Sequence, residues 1–379
     1  MNRKLNVGLV GWNGMMNIGD DVMTSVIVRH FKELLGTNFT VGLFSPNNKL
    51  AAYTQNDIEV KGLKYFRFFN KPLLRRLAYN YLFPRTFVHN KDIILFGGGS
   101  IFHQKGTSIT HSKIIKTAKK NNKNVIIGAI GVSVGPFDTK KEFYLAKGNL
   151  EQMDFIVVRD NRSLKVLKTM DIEVAFEKGI DLAFLFPTYH NLIIKKSLKS
   201  NNILGLSLRA NYVTEDLYVK YGTVVNEWLS QDKQNIIRYF NFSEFRGQND
   251  GLCLQKLLSY VNEDYKKRIE VVGYNLKPLI FYEKIMECGL MICMRLHAAI
   301  LSYSVGTTLF IESYHQKCID LADELKLCKK NIVNDKSAQQ IIDLIKEQCC
   351  FNNKDFNDDF FIEDAKKHFY HVDRMIKNL

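Results

Sequence analysis

Arg295 and His297 stand two residues apart in the run MICMRLHA (residues 291–298), where they interrupt a long, largely apolar stretch. Period two puts both side chains on one side if a strand continues through them. A guanidinium can grip a carboxylate or phosphate with two parallel hydrogen bonds. An imidazole can both give and take a proton near neutrality. A second arginine, Arg209, closes the segment ILGLSLR (203–209), where it is poised for such an anion or for a surface salt bridge. Tyr314 and Lys317 follow the apolar segment TTLFI (307–311) in the same way, with plain surface roles as the simpler reading, and Glu312 could hold a ribose diol.

Glycine-rich turns form the other group. The segment GWNGMMNIGDD (11–21) follows a short apolar run. Its three glycines allow positive φ and close backbone approach, and the free N–H groups of a following helix suit an anion or a sugar hydroxyl. The spacing is neither G-x-G-x-x-G nor a P-loop. Asp20 or Asp21 caps that helix, or Asp20 acts on a substrate. Gly97-Gly98-Gly99 follows DIILF (92–96), and Gly131 to Pro136 follows NVIIGAI (124–130). Each leaves room for a ligand or for tight packing. Arg159 and Asp160 follow FIVV (155–158), Asp160 as a helix cap and Arg159 on an interdomain face.

These residues must be carried by elements, and the chain alternates strand-like and helix-like segments from its start. Strands are predicted at 5–10, 40–44, 92–96, 124–130 and 155–158, with helices at 21–35, 113–121 and from 160 or 163. A second series has strands at 203–208, 235–240, 268–272, 290–294 and 307–311. Its helices fall at 223–232, 251–261, 278–288 and 298–305. Strand, turn, helix, repeated, describes a parallel sheet covered on both faces. The expected architecture is α/β: two Rossmann-like, doubly wound domains facing a cleft, with C-terminal helices at 338–347 and 361–378. The expected domains are 1–186 on the acceptor side, 201–330 on the donor side and a helical tail at 331–379. Ligands of such sheets sit outside the carboxyl ends of the strands, where the residues above fall.

The 379 residues are 46% hydrophobic, which excludes wholesale disorder. No run of about 18 uncharged apolar residues is present, so no membrane-spanning helix is expected, and the glycine-broken run after Lys4 does not suit a signal peptide. A cytoplasmic protein is the expectation. A net charge of +14 favours an anionic partner without naming it. No recognised nucleic-acid motif accompanies that charge. The seven cysteines form no C-x-x-C pair and no zinc spacing, which reads as reduced thiols and no metal.

Taken in order, the motifs resemble one family. Asn17-x-Gly19-Asp20, Gly97-Gly98-Gly99, Gly131-x-x-x-Gly135-Pro136 and Val158-Arg159-Asp160-x-x-Ser163 come first. Ser207-x-Arg209, Arg295-Leu296-His297-Ala298 and Tyr314-x-x-Lys317 follow. Over about residues 5 to 325 this resembles the polysaccharide pyruvyl transferases, although Asp21 stands where the family's first motif often has Glu. The resemblance implies a fold like that of GT-B glycosyltransferases. It implies transfer of a pyruvyl group from phosphoenolpyruvate to sugar hydroxyls of a surface polysaccharide or its lipid-linked precursor, as a ketal, with neither metal nor cofactor. It further implies that Arg209, Arg295, the Leu296 N–H and His297 form the donor site. Lys317 is the candidate second phosphate partner. Asp20 is the candidate for orienting the acceptor hydroxyl, alongside Asn17, Gly19, Gly98 and Gly99. Two other readings compete: a nucleotide-sugar glycosyltransferase using Glu312, and a non-catalytic carbohydrate- or lipid-binding subunit.

Residues 61–91 hold eight Lys or Arg, eight Phe or Tyr and no acidic residue. Pro72 could open a basic amphipathic helix carrying Lys71, Arg75 and Arg76, which would rest on anionic lipid at the inner membrane face. The simpler alternative is a solvated basic insertion whose aromatics face the core.

Overall fold

The computed structural model describes residues 4–44, 60–62, 83–103, 105–192, 199–245, 247–274, 277–347 and 358–378. Its strands are β1 (Leu5–Val10), β2 (Phe39–Phe44), β3 (Val60–Gly62), β4 (Ile93–Phe102), β5 (Ile126–Val134), β6 (Phe155–Val158), β7 (Phe176–Lys178), β8 (Ser200–Ser207), β9 (Ile236–Phe240), β10 (Ile269–Val272), β11 (Cys288–Cys293) and β12 (Thr308–Ile311). Its helices are α1 (Ile18–Leu35), α2 (Phe83–Phe87), α3 (Lys105–Asn121), α4 (Lys140–Leu150), α5 (Asn161–Met170), α6 (Phe186–Tyr189), α7 (Glu215–Gln231), α8 (Asp250–Leu257), α9 (Glu263–Lys266), α10 (Pro278–Met286), α11 (Leu296–Ser304), α12 (Gln316–Glu324), α13 (Ala338–Lys346) and α14 (Asp358–Ile376).

Two compact units result. The first comprises Met1–Met15, Asp20–His190 and Asp359–Leu379; the second comprises Met16–Gly19 and Asn191–Asp358. The first unit's sheet has the order β3-β2-β1-β4-β5-β6-β7 and the second's has β10-β9-β8-β11-β12. All strand pairs are parallel. The central strands read as near-continuous apolar runs because helices cover both of their faces. Ile94, Phe96, Ile127 and Ile156 lie in the first core. Leu204, Leu206, Ile237 and Ile292 lie in the second.

Helix starts follow local chemistry. Asp160 caps α5 by accepting the Ser163 N–H at 2.7 Å, as its sequence position suggested. Thr139 with Glu142 and Ser337 with Gln340 form reciprocal capping boxes on α4 and α13. Pro278 opens α10, where its missing N–H costs nothing.

Three differences from the sequence reading stand out. First, β4 and β5 do not stop at their glycines. The ladder continues through Gly97↔Ile130 and Gly99↔Val132 and shifts register only between Ser100 and Phe102. Gly98 and Gly99, at φ +72° and +89°, are therefore strand-interior positions where Met23 and Asp20 of α1 press close. Second, the C-terminal helices do not form a tail of their own. Helix α13 belongs to the second unit and nearly all of α14 to the first. The spacing of Phe361, Ala365, Phe369 and Val372 gives α14 one apolar stripe, and all four are buried. Third, the chain leaves the first unit after His190 and not at residue 186.

Lys71, Arg75 and Arg76, expected to dock on a membrane, lie outside the described residues. In the described part of that stretch, Phe87 and Val88 are 3% and 2% exposed, so there the apolar groups face the core. No described helix is long and apolar enough to cross a membrane. Cys253, Cys288, Cys293 and Cys318 are buried free thiols and Cys328 is an exposed one, while Cys349 and Cys350 lie outside the described residues.

Candidate active site

The second sheet brings Arg209, Arg295 and His297 to its carboxyl edge. Ser207 and Cys293 are register partners at the ends of β8 and β11, so the segments that follow those strands run side by side. Strand β11 ends at Cys293, and Arg295 and His297 do not share a strand face. Arg295 is the N-cap of α11 and His297 its second residue. The Leu296 N–H opens the same helix, among the orphan donors of its first turn.

Arg295 is 5% exposed and already engaged. Its Nη2 and Nε donate to Asp250 Oδ1 and Oδ2 at 2.5 and 3.0 Å, and Nη2 also reaches the Gln248 carbonyl at 3.3 Å. The fork that would clamp an anion is thus closed on a carboxylate inside the protein. Asp250 is fully buried and also accepts the Ala210 and Ser243 N–H groups, both at 3.1 Å. Burial raises the Asp250 pKa, while Arg295 and the Ala210 N–H oppose that rise.

Arg209 is held differently. Its Nη1 donates to the Tyr314 hydroxyl at 2.6 Å. Its guanidinium lies 4.2 Å from the Tyr314 ring centroid and 5.0 Å from that of Tyr212. Among the described residues it has no carboxylate partner, and its buried Nε meets no acceptor. Burial lowers the Arg209 pKa, the Tyr314 hydroxyl counters this, and the nearby Arg295 charge lowers it further. An arginine held against two rings with no carboxylate bonded to it has the chemistry to receive an anion. Lys317 lies 5.3 Å from the other participant, the Tyr314 ring. Tyr314 therefore orders two cations, and is not the plain surface residue that sequence suggested.

The segment 16–19 joins this edge. Asn17 bridges Ser243, the Ile18 N–H donates to Phe242 O at 3.0 Å, and the Glu244 N–H donates to Met16 O at 2.9 Å. Asn17 Oδ1 accepts the Gly19 N–H at 3.2 Å, so Asn17 is the residue that caps α1. Gly19 packs on the His297 ring. The expected acceptor set is therefore divided: Asn17 and Gly19 belong beside His297, whereas Asp20, Gly98 and Gly99 belong to the first unit.

In the first unit, Asp20 Oδ1 would lie 3.0 Å from a β-carbon at Gly99, which only a glycine spares. Asp21 is fully buried and holds the glycine loop by accepting the Gly14 N–H at 3.0 Å. Arg159 is 6% exposed and engaged in this unit's own network. It donates to Asp181 Oδ2 at 2.7 Å and to Ser133 Oγ at 2.9 Å, and Ser133 donates to Asp160 at 2.6 Å. Burial opposes the Arg159 cation, but Asp181, Asp160 and Asp20 outweigh it and raise its pKa.

Glu312 does not suit the ribose role. It is 3% exposed and accepts from Lys220 Nζ at 2.6 Å and from the Tyr221 hydroxyl at 2.5 Å. Both bonds fall on Oε2, and it is the burial of the residue that keeps a diol from the carboxylate. Sequence reasoning missed Asp250, Tyr212 and the role of Tyr314. Asp250 opens a helix, where an acidic residue reads as a dipole partner, so only the fold reveals its link to Arg295. Among the described residues, no three His, Cys, Asp or Glu side chains gather as a metal site.

Known proteins share both the sequence and the fold. AmsJ of Erwinia amylovora, an amylovoran biosynthesis protein, is 26% identical over 255 residues, 62% of this chain. The match spans 60% of the length of AmsJ. A Listeria monocytogenes protein assigned as a UDP-N-acetylglucosamine 2-epimerase superposes with TM-score 0.64 at 11% identity, covering 100% of this chain and 98% of its own. The UDP-GlcNAc 2-epimerase of Neisseria meningitidis gives 0.59 at 12%, covering 98% and 100%. HepE of Anabaena gives 0.54 at 11%, covering 99% and 98%. These likenesses establish the fold, two parallel-sheet α/β domains of GT-B type. The sequence profile of the polysaccharide pyruvyl transferases matches residues 17–316. A single match running from Asn17 past Tyr314 places the chain in the polysaccharide pyruvyl transferase family.

Proposed function

We propose that this protein moves a pyruvyl group from phosphoenolpyruvate to two hydroxyls of a sugar in a surface polysaccharide or its lipid-linked precursor, forming a pyruvate ketal. The observation that carries this reading is Arg209, stacked on Tyr212 and Tyr314 without a carboxylate partner, on the same strand edge as Arg295 and His297. Phosphoenolpyruvate presents a carboxylate and a phosphate close together, which such a cationic edge suits.

The chemistry assigned to these residues balances. A proton delivered to the enol CH2 carbon leaves a cationic centre at C2. One sugar hydroxyl attacks C2 and gives up its proton. The second hydroxyl attacks the same carbon as phosphate departs with the C2–O pair. One hydroxyl proton replaces the one spent on the methyl group, and the other leaves on phosphate. His297 is the general acid and base in this scheme. Arg209, with Lys317, receives the phosphate charge, the Leu296 N–H faces a donor oxygen, and Arg295, its charge paired with Asp250, holds the start of the helix that carries His297. Asp20, the residue after Gly19 in the chain, is the proposed acceptor-orienting carboxylate, with Gly98 and Gly99 beside it in the first unit. The reading needs no cofactor beyond the donor substrate.

The membership in the family and the relation to an amylovoran biosynthesis protein support a role in polysaccharide modification. The nucleotide-sugar alternative is disfavoured at its expected ribose carboxylate, because Glu312 is buried and held at Oε2 by Lys220 and Tyr221. Calorimetry without added metal tests the donor. Phosphoenolpyruvate should bind the wild type and bind Arg209→Ala at least about 10-fold more weakly, the worth of one charged hydrogen bond. Binding of a UDP-sugar in place of phosphoenolpyruvate would sink the reading.

A further inference from the structure

We infer that Asp250 is the positioning residue of the proposed donor site, setting where the segments bearing Arg209, Asn17 and His297 stand. The inference rests on the donor reading above for its consequence, but not for its geometry. Oδ1 takes Arg295 Nη2 at 2.5 Å and the Ala210 N–H at 3.1 Å. Oδ2 takes Arg295 Nε at 3.0 Å and the Ser243 N–H at 3.1 Å. The four bonds end on three segments, each following a different strand: Ala210 after β8, Ser243 after β9, and Arg295, with two of the bonds, after β11. Ala210 is next to Arg209. Ser243 bridges Asn17. Arg295 opens the helix that carries His297.

Asp250 is itself fixed from behind. Its N–H donates to Ser243 O at 2.9 Å, and its carbonyl accepts the Tyr239 hydroxyl at 2.8 Å. Neighbouring Asn249 caps α8 by accepting the Gly251 N–H at 2.8 Å. A buried ion pair is a poor source of stability, since apolar side chains of similar volume do as well. What it supplies is direction, and here the direction is shared among three loops. Asp250 also neutralises Arg295, which leaves Arg209 as the arginine of this edge without a bonded carboxylate.

The signs of the competing effects differ, which makes the proposal testable. If Asp250 acted through charge alone, removing it would tighten binding of an anion, and keeping the charge would change nothing. Asp250→Glu keeps the charge and displaces the fork by a methylene in a site with no spare room. Hydrogen exchange on the full chain should rise about 10-fold or more in residues 207–212, 241–245 and 15–19, with β11 unchanged. Calorimetry with phosphoenolpyruvate should show Kd weakened at least about 10-fold at unchanged stoichiometry. Asp250→Asn, nearly isosteric, is the second variant should the first not fold, and the same exchange pattern is expected of it. Unchanged exchange in the three segments would overturn the inference. So would a fall in stoichiometry at constant Kd, which marks a loss of folded protein only. Raised exchange in a protein whose wild type does not bind phosphoenolpyruvate would leave Asp250 in place and remove the donor reading instead.

Discussion

Gly19 and His297 are packed so closely that a β-carbon at residue 19 would lie 1.9 Å from His297 Nδ1 and 2.3 Å from its Cγ. Two motifs 278 residues apart in sequence are thereby one piece of structure. Gly19 sits in the first turn of α1, where alanine would by itself be favoured by about 1 kcal/mol. The contact, not the helix, therefore calls for glycine.

Gly19→Ala should accordingly separate stability from activity. The melting temperature should stay within a few degrees of wild type, because the gain in helix propensity offsets part of the strain. The His297 ring must turn away, and phosphate release from phosphoenolpyruvate with the host's own polysaccharide precursors should fall at least about 100-fold. Wild-type turnover in a folded Gly19→Ala protein would remove His297 from the reaction.

Arg209→Lys should not be a mild change. The planar guanidinium lies against the rings of Tyr212 and Tyr314 while Nη1 donates to the Tyr314 hydroxyl at 2.6 Å. An ammonium keeps the charge but has neither the plane nor the fork. Phosphoenolpyruvate affinity should drop about 10- to 100-fold, equivalent to about 1.5–3 kcal/mol. Calorimetry of the lysine and alanine variants side by side checks it; equal affinity in the lysine variant would mean that charge alone suffices.

Glu312→Gln should destabilise the second unit and leave the donor site intact. Removing the carboxylate strands Lys220, whose side chain is only 12% exposed. Breaking one partner of a buried pair costs about 3 kcal/mol or more. Urea titration should show that loss, while phosphoenolpyruvate affinity stays at the wild-type value. A wild-type unfolding midpoint with altered UDP-sugar binding would restore the ribose role for Glu312.

The strands were legible because a parallel sheet covered on both faces writes apolar runs into the sequence, as in LNVGLV and FIVV. The arginines and His297 were legible because polar residues interrupt such runs only at strand ends. The glycines misled. GGG reads as a turn, yet β4 runs through it, since a glycine at positive φ can remain in a ladder when a helix presses on the strand. Asp250 was invisible for another reason: its partner lies 45 positions away, and nothing local distinguishes it from an ordinary helix-start aspartate. The division of the two C-terminal helices between units was equally hidden, because an apolar stripe states that a helix packs and not against what.

The docking of α14 predicts a pH dependence. His368 is fully buried; its Nδ1 accepts the Gly131 N–H at 3.0 Å and its Nε2 faces the Ile180 carbonyl at 2.6 Å. Both bonds are satisfied by the neutral ring with its proton on Nε2, and a second proton would break the first. Burial pushes the His368 pKa down to about 4, and that of His111, also buried, down to about 3. In the unfolded chain both take up a proton near pH 6.5. Between about pH 6.5 and 4, therefore, the unfolded state binds protons that the native state refuses. Stability present above pH 6.5 is lost progressively through that window, and His368 alone accounts for about 3 kcal/mol. Urea titrations at pH 7.5, 5.5 and 4.5 should show this fall, and His368→Gln should be less stable at pH 7.5 yet flatter with pH. An equally steep fall in the His368→Gln protein would show that this ring is not what ties α14 to the first unit in a pH-dependent way.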